Sequence, residues 1–198
     1  DAYMNDAASG YFNIIFMPTS VINLAAGFVI RPVLTALTDM WNGRRFDAFA
    51  KKLLGISRII GALSILAVAL TAGLGRPVLW VLEQILGSGY EGKLTQNHIP
   101  FILIVMGGAC YAFLNLHYYA LVIMRRQKVI FGIYLVLTGA AAVLAPMFVK
   151  KGGIFGAAVA YLILMVLMAA GFGLWTWAGI YKKQKSGRNP ENRKGGSL

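Results

Sequence analysis

Residues 10–37, GYFNIIFMPTSVINLAAGFVIRPVLTAL, constrain this chain more than any other stretch. The run is long enough to cross a bilayer, whose hydrocarbon core takes about 20 helical residues. It holds no acid and one base, Arg31. Wound at ~100° per residue, it brings Asn13, Ser20, Asn23, Gly27 and Arg31 within about a quarter of the circumference, while Phe12, Ile15, Val21, Phe28 and Val29 lie elsewhere. Pro18 predicts a kink inside the run, and Pro32 follows the arginine directly. Two readings stay open from the residues alone. The polar stripe lines a hydrophilic path, or it packs against other helices through small and amide side chains, with Arg31 reaching the headgroups.

Further apolar blocks follow, and composition agrees with them. Hydrophobic residues make up 58% of the chain and charged ones 13%, with a mean hydropathy of +0.66. An ordinary soluble domain carries about 25% charged residues. The blocks lack the alternation of a barrel strand, so the expected class is all-α, an integral membrane helical bundle. Five transmembrane helices are expected, at about 10–37, 53–82, 100–124, 129–148 and 154–181, making residues 1–181 one membrane domain. Residues 182–198 form a basic tail, expected to be disordered.

The net charge of +12 does not imply nucleic acid, because the bases cluster at the ends of apolar blocks. Residues 39–58, the turn at 125–128 and the tail hold 5, 3 and 6 Lys or Arg. The opposite loops hold Lys93 and the pair Lys150 and Lys151, with Arg76 at a helix end. The positive-inside rule then puts the amino-terminal lead outside and the carboxyl terminus in the cytoplasm. Trp41, Phe46 and Phe49 are expected at headgroup level, and Trp175, Trp177 and Tyr181 as an interfacial belt. Ser57, Gly61, Ser64, Thr71 and Gly75 recur at helical spacing and predict a small-residue packing seam. Arg76-Pro77 predicts a bend or break near the end of that helix.

Chemistry is sparse. His98 and His117 have no Cys, His or Glu partner at metal-ligand spacing, and no Walker loop, nucleophile elbow or paired carboxylate is present. Of seven acids, only Glu83 is expected within a membrane helix. That weighs against catalysis, against any cofactor or metal, and against carboxylate-based cation coupling. A second polar cluster stands on the third helix, where Tyr111, Asn115 and Tyr118 share a face with Arg125 in line beyond them. It is either a second cavity wall or a set of interhelical hydrogen bonds. For His117, off that face, interhelical bonding is the favoured reading. The lone Cys110 excludes an intrachain disulfide.

The order of features resembles a known family. The run at 10–37, the basic segment GRRFDAFAKKLL, then GRPVLWVLEQILGSGY, the MRRQK turn and KKGGIFGAAVAYLI are similar to polysaccharide flippases of the MOP superfamily, relatives of the MATE transporters. The motifs are loose patterns of Gly, Pro and hydrophobic residues spread over nearly the whole chain. The resemblance implies a bacterial cell-membrane transporter that flips undecaprenyl-diphosphate-linked oligosaccharide units for surface polysaccharide export. It implies two six-helix lobes, of which these five helices are most of the second, so the missing amino-terminal lobe is an expected partner and the chain an expected carboxyl-terminal portion. Within that reading Arg31 is the natural partner of a diphosphate or acidic sugar. Asn13, Asn23, Asn115 and Tyr118 are plausible sugar contacts; the helical wheel, not the family pattern, singles them out. The alternatives are a MATE-like small-molecule exporter, a non-transporting scaffold of a polysaccharide synthase complex, or a membrane glycosyltransferase, which the missing acids disfavour.

Overall fold

The computed structural model describes residues 6–87 and 92–188 of the chain. Every regular element among them is helical: α1 (Asp6–Ile30), a 3-10 turn (Arg31–Val33), α2 (Leu34–Asn42), α3 (Phe46–Leu86), α4 (Lys93–Gln96), α5 (His98–Ile123) and α6 (Gln127–Arg188). Four stretches are long and apolar enough to cross a membrane: Gly10–Asn42, Phe46–Leu86, His98–Ile123 and Gln127–Ser186. The class is thus all-α, consistent with a multi-pass membrane bundle.

Only Pro32, of the three prolines in the first two long stretches, coincides with a change of helix type. α1 runs unbroken through Pro18, where the Thr19 hydroxyl donates to the Phe16 carbonyl at 2.7 Å. Helix type changes instead at Arg31–Val33, where Pro32 sits in a first turn that needs no amide from it. The first helical stretch continues past residue 37, whose leucine is 1% exposed in the core, to Asn42. At Arg76-Pro77, where a bend or break is expected, the helix is not broken, and α3 continues to Leu86. At ~1.5 Å per residue its 41 residues run about 60 Å, well beyond a hydrocarbon core of about 30 Å.

α6 is 62 residues long but is not one rod. Gly153 has φ 51° and ψ −128°, a conformation essentially reserved for glycine, and the chain doubles back there. A Cβ on Gly156 would run into the Phe148 carbonyl, although residues eight apart on a straight helix stand about 12 Å apart. Further along, a Cβ on Gly171 would meet Ile133 at 3.6 Å, and the Tyr134 and Phe172 rings lie 5.4 Å apart. The two arms are therefore antiparallel, and the expected passes at 129–148 and 154–181 fall one on each.

α5 is the centre. Half of its most apolar stretch is buried, against 22% in each of the other three. α1, α3 and α6 all pack against it. Two apolar clusters fill the bundle. Leu37, Phe49, Leu53, Leu116, Leu121, Phe172 and Ile180 form one near the α2–α3 turn. Ile15, Leu79, Leu94, Phe101, Ile104 and Ala158 form the other at the opposite end. Phe49, expected at the headgroups, is fully buried in the first cluster, its ring tilted against Trp41 with centroids 5.1 Å apart.

Polar contacts tie each end. At the first end the Gln184 side-chain amide donates to the Asp47 carboxylate at 2.8 Å, joining the last helix to the start of α3. Residues 182–188, expected to belong to a disordered tail, are helical; the rest of that tail lies outside the described residues. At the far end, Glu83 (3% exposed) receives the Thr95 amide at 2.7 Å and the Thr95 hydroxyl at 2.6 Å. The carboxylate so caps the short α4, with the Gly92 and Leu94 amides also directed at it. His98 Nε2 lies 3.3 Å from the Thr71 carbonyl and packs where a side chain on Gly75 would stand.

Candidate functional site

Helical geometry places a trough between α1 and α6 over α5, and some of the positions singled out on α1 and α5 fall along it. Its geometry starts with two glycines on α5. Gly108 lets α1 approach until a Cβ there would lie 3.1 Å from Thr19. Gly107, one residue earlier, accepts the Tyr161 ring of α6, which a methyl group would overlap. A third contact closes the triangle, because Phe16 of α1 meets Tyr161 edge-on with centroids 5.1 Å apart. At this level, toward the end bearing the Gly153 turn, α1, α5 and α6 all touch.

Toward the other end, aromatic partners change. Tyr118 pairs with Phe172 at 6.2 Å and with Tyr119 at 5.5 Å, while Tyr134 also packs on Phe172. Tyr111, Asn115 and Tyr118 are half-buried on the strip of α5 that helical geometry places between its α1 contact at Gly108 and its α6 contact at Gly107. Asn23 and Gly27 of α1 lie on the same flank as Phe16, toward α6, and are half-buried. The Asn23 side-chain amide oxygen is buried with no hydrogen-bond partner among the described residues. Asn13, Ser20 and Arg31 stand farther round α1 and are exposed. The Arg31 side chain folds back along its own helix, its Nε 3.9 Å from where a Cβ on Gly27 would be.

Asn23, Asn115 and Tyr118 thus border one trough, whereas Asn13 and Arg31 occupy the uncovered outer margin of α1. That margin is mixed. Met17, Leu24 and Phe28, 60–73% exposed, share the open arc with Asn13 and Arg31. The opposite flank of α1 is different again. There an apolar cavity of about 180 Å³ lies between α1, α3 and α5, lined by Ile22, Ala25, Ala26, Ile60, Ser64 and Ala67 among others, and by none of the five candidate residues.

His117 belongs to the core. It is fully buried, with Nδ1 3.0 Å from the Phe113 carbonyl. A carbonyl can only accept, so Nδ1 carries a proton, while Nε2, against Gly173, has no hydrogen-bond partner among the described residues. Thr176 donates to the His117 carbonyl at 3.4 Å. Among the described residues no three His, Cys, Asp or Glu side chains stand close enough to share a metal ion. An open recess of about 400 Å³ at the far end is lined by Arg76, Gly92, Thr95, Gln96, His98 and Ile99 and is more polar than that apolar cavity.

Sequence reasoning missed the aromatic walls, Phe16, Tyr134, Tyr161 and Phe172. The usable signal was the Gly107-Gly108 pair in an otherwise bulky helix, since adjacent glycines mark where neighbours on two sides come close.

No family model, no curated protein and no solved structure matched the chain.

Proposed function

We propose that the chain is part of a transporter that flips undecaprenyl-diphosphate-linked oligosaccharide units across the bacterial cytoplasmic membrane for surface polysaccharide export. One observation carries this reading beside the sequence resemblance. A membrane-length helix presents Asn13, Ser20 and Arg31 on an uncovered face, next to a trough bordered by Asn23, Asn115 and Tyr118. Polar and charged groups at membrane depth face protein or water, because each unpaired group in hydrocarbon is costly. Facing a second lobe across a water-filled cavity satisfies them. A diphosphate-sugar headgroup needs such a route, whereas its lipid tail stays in the bilayer.

In this reading the end bearing the 43–45 and 124–126 turns is cytoplasmic, as is the carboxyl terminus. Arg31, near that end, forks onto the diphosphate as it enters. Asn23, Asn115 and Tyr118 offer donors and acceptors to the sugar, with Asn13 deeper along α1. The Phe16–Tyr161 contact lies at the outer end of the trough. No bond is made or broken by the chain.

The test is surface polysaccharide in cells carrying full-length Arg31→Gln or Arg31→Lys, with membrane abundance measured in parallel. Both variants should insert normally and fail in export. Losing a forked, charge-assisted contact costs about 2 kcal/mol, or roughly thirtyfold in affinity. Normal export by Arg31→Gln at normal abundance removes Arg31 from the path. Reduced abundance of Gln with full rescue by Lys would instead mean that Arg31 only anchors the helix or packs on a partner subunit.

A further inference from the structure

Two turns at one end of the bundle are built alike, and both keep arginine where the backbone favours glycine. After α2, Arg44 adopts φ 57°; after α5, Arg125 adopts φ 56°. Each is followed by a second arginine whose amide closes the turn, Arg45 onto the Met40 carbonyl at 2.9 Å and Arg126 onto Leu121 at 3.0 Å. With Arg44 bonded to Trp41 and Arg125 to Val122, both have the paired bonds of a Schellman ending. Glycine is the usual residue at the left-handed position, and one is at hand beside Arg44. Yet Gly43 takes φ −74° and the strained conformation falls to the arginine.

A base near a helix carboxyl end complements the helix dipole, but Arg45 and Arg126 meet that need without left-handed strain. Strain retained twice at the same place calls for a role that glycine cannot fill. Arg44, Arg45 and Arg125 are exposed, as are Lys182 and Lys183 of the last helix. The Asp47–Gln184 bond and the packing of Arg126 over Gly179 bring these segments to one end. Trp177 and Tyr181, 39% and 69% exposed, stand beside them.

We propose that the twin turns form a binding surface for the anionic headgroups of bilayer lipids, the phosphates held by the Arg44–Arg45 and Arg125–Arg126 pairs beside Lys182 and Lys183. The occupant is a bilayer lipid because the turns end apolar helices of membrane length, where headgroups lie, and because guanidinium forks match phosphate oxygens. The inference requires only that the helices span a membrane, not the transport reading.

The test uses full-length protein reconstituted in vesicles of phosphatidylcholine, or of phosphatidylcholine mixed with phosphatidylglycerol. Thermal unfolding and the lipid retained on extraction are both measured. Wild type should melt higher in the mixed vesicles and retain phosphatidylglycerol preferentially. Arg44→Gly/Arg125→Gly should melt above wild type in pure phosphatidylcholine, because strain is relieved, yet lose most of the phosphatidylglycerol-dependent rise. Its preference for the anionic lipid should fall by up to about fivefold per arginine removed. Arg44→Asn/Arg125→Asn, which also tolerates the left-handed turn, should lose the preference likewise, and Arg44→Lys/Arg125→Lys should keep most of it. Lys150→Gln/Lys151→Gln, at the other end, should leave it intact. If the glycine variant keeps its preference for phosphatidylglycerol, the turns do not hold headgroups. If both neutral variants melt below wild type in pure phosphatidylcholine, the arginines serve the fold and the proposal fails.

Discussion

A methyl group on Gly107 would overlap the Tyr161 ring, whereas one on Gly108 would press only to 3.1 Å of Thr19. These neighbours make a sharp comparison. Gly107→Ala should destabilise the bundle by ~1–3 kcal/mol, since a packed aromatic ring must move. Gly108→Ala should cost less, and thermal unfolding in one detergent ranks them. Glu83 makes a second case. In a chain of seven acids it is the one buried carboxylate among the described residues, held by the Thr95 amide and hydroxyl. Thr95→Val keeps the amide bond and the volume and removes the hydroxyl. It should cost ~1.5–3 kcal/mol, the worth of a hydrogen bond to a charged group. An unchanged melting temperature would mean that the clasp is not formed.

At the scale of elements, α3 shows how a pattern is met in part. Its small residues, Ser57, Gly61, Ser64, Thr71 and Gly75, are all buried or half-buried, with Leu63, Ile65, Leu66, Leu70 and Leu74 exposed around them. The seam faces protein, buried at Ser57 and tightly packed at Gly75, where His98 stands, yet nothing lies within 4 Å of a Cβ on Gly61. Gly61→Ala should therefore be neutral or slightly stabilising, as alanine favours the helix by up to ~1 kcal/mol. Gly75→Ala should lower stability, because the imidazole stands 3.0 Å from the new carbon. Equal effects would argue against the α3–α5 packing described here. In α6, Gly153→Ala puts a side chain into a backbone conformation that costs it ~1–3 kcal/mol. Cysteines replacing Ile133 and Gly171, in a Cys110→Ala background, should cross-link readily, which a straight α6 would forbid.

For the whole molecule, charge is divided by the fold rather than only along the chain. The turns at 43–45 and 124–126 and the end of α6 meet at one end, while Lys93, Lys150 and Lys151 lie at the other. If the helices cross a membrane as proposed, Lys93→Cys and Ser186→Cys should react with an impermeant reagent from opposite sides, Lys93→Cys from outside in intact cells. Reaction of both from one side would overturn the arrangement. Along the uncovered face of α1, Asn13, Ser20 and Arg31 are exposed, so at membrane depth they call for a partner or water beyond the other described helices.

Much of the architecture follows from apolar block length, because lipid admits backbone only when its hydrogen bonds are satisfied locally. The helical class, the polar stripe of α1 and the shared face of Tyr111, Asn115 and Tyr118 all rest on periodicity and are legible in residue order. Where the prolines act is not. Pro18 and Pro77 leave their helices unbroken, and only Pro32 coincides with a change of helix type. Phe49 shows the same limit, since an aromatic beside basic residues suits a headgroup belt or a core equally well, and the neighbours Trp41 and Leu53 put it in the core. The trough is a tertiary fact altogether. Helical spacing sets which residues share a face, but Phe16, Tyr161 and the Gly107-Gly108 step decide which faces meet, and that choice depends on the fit of surfaces far apart in sequence.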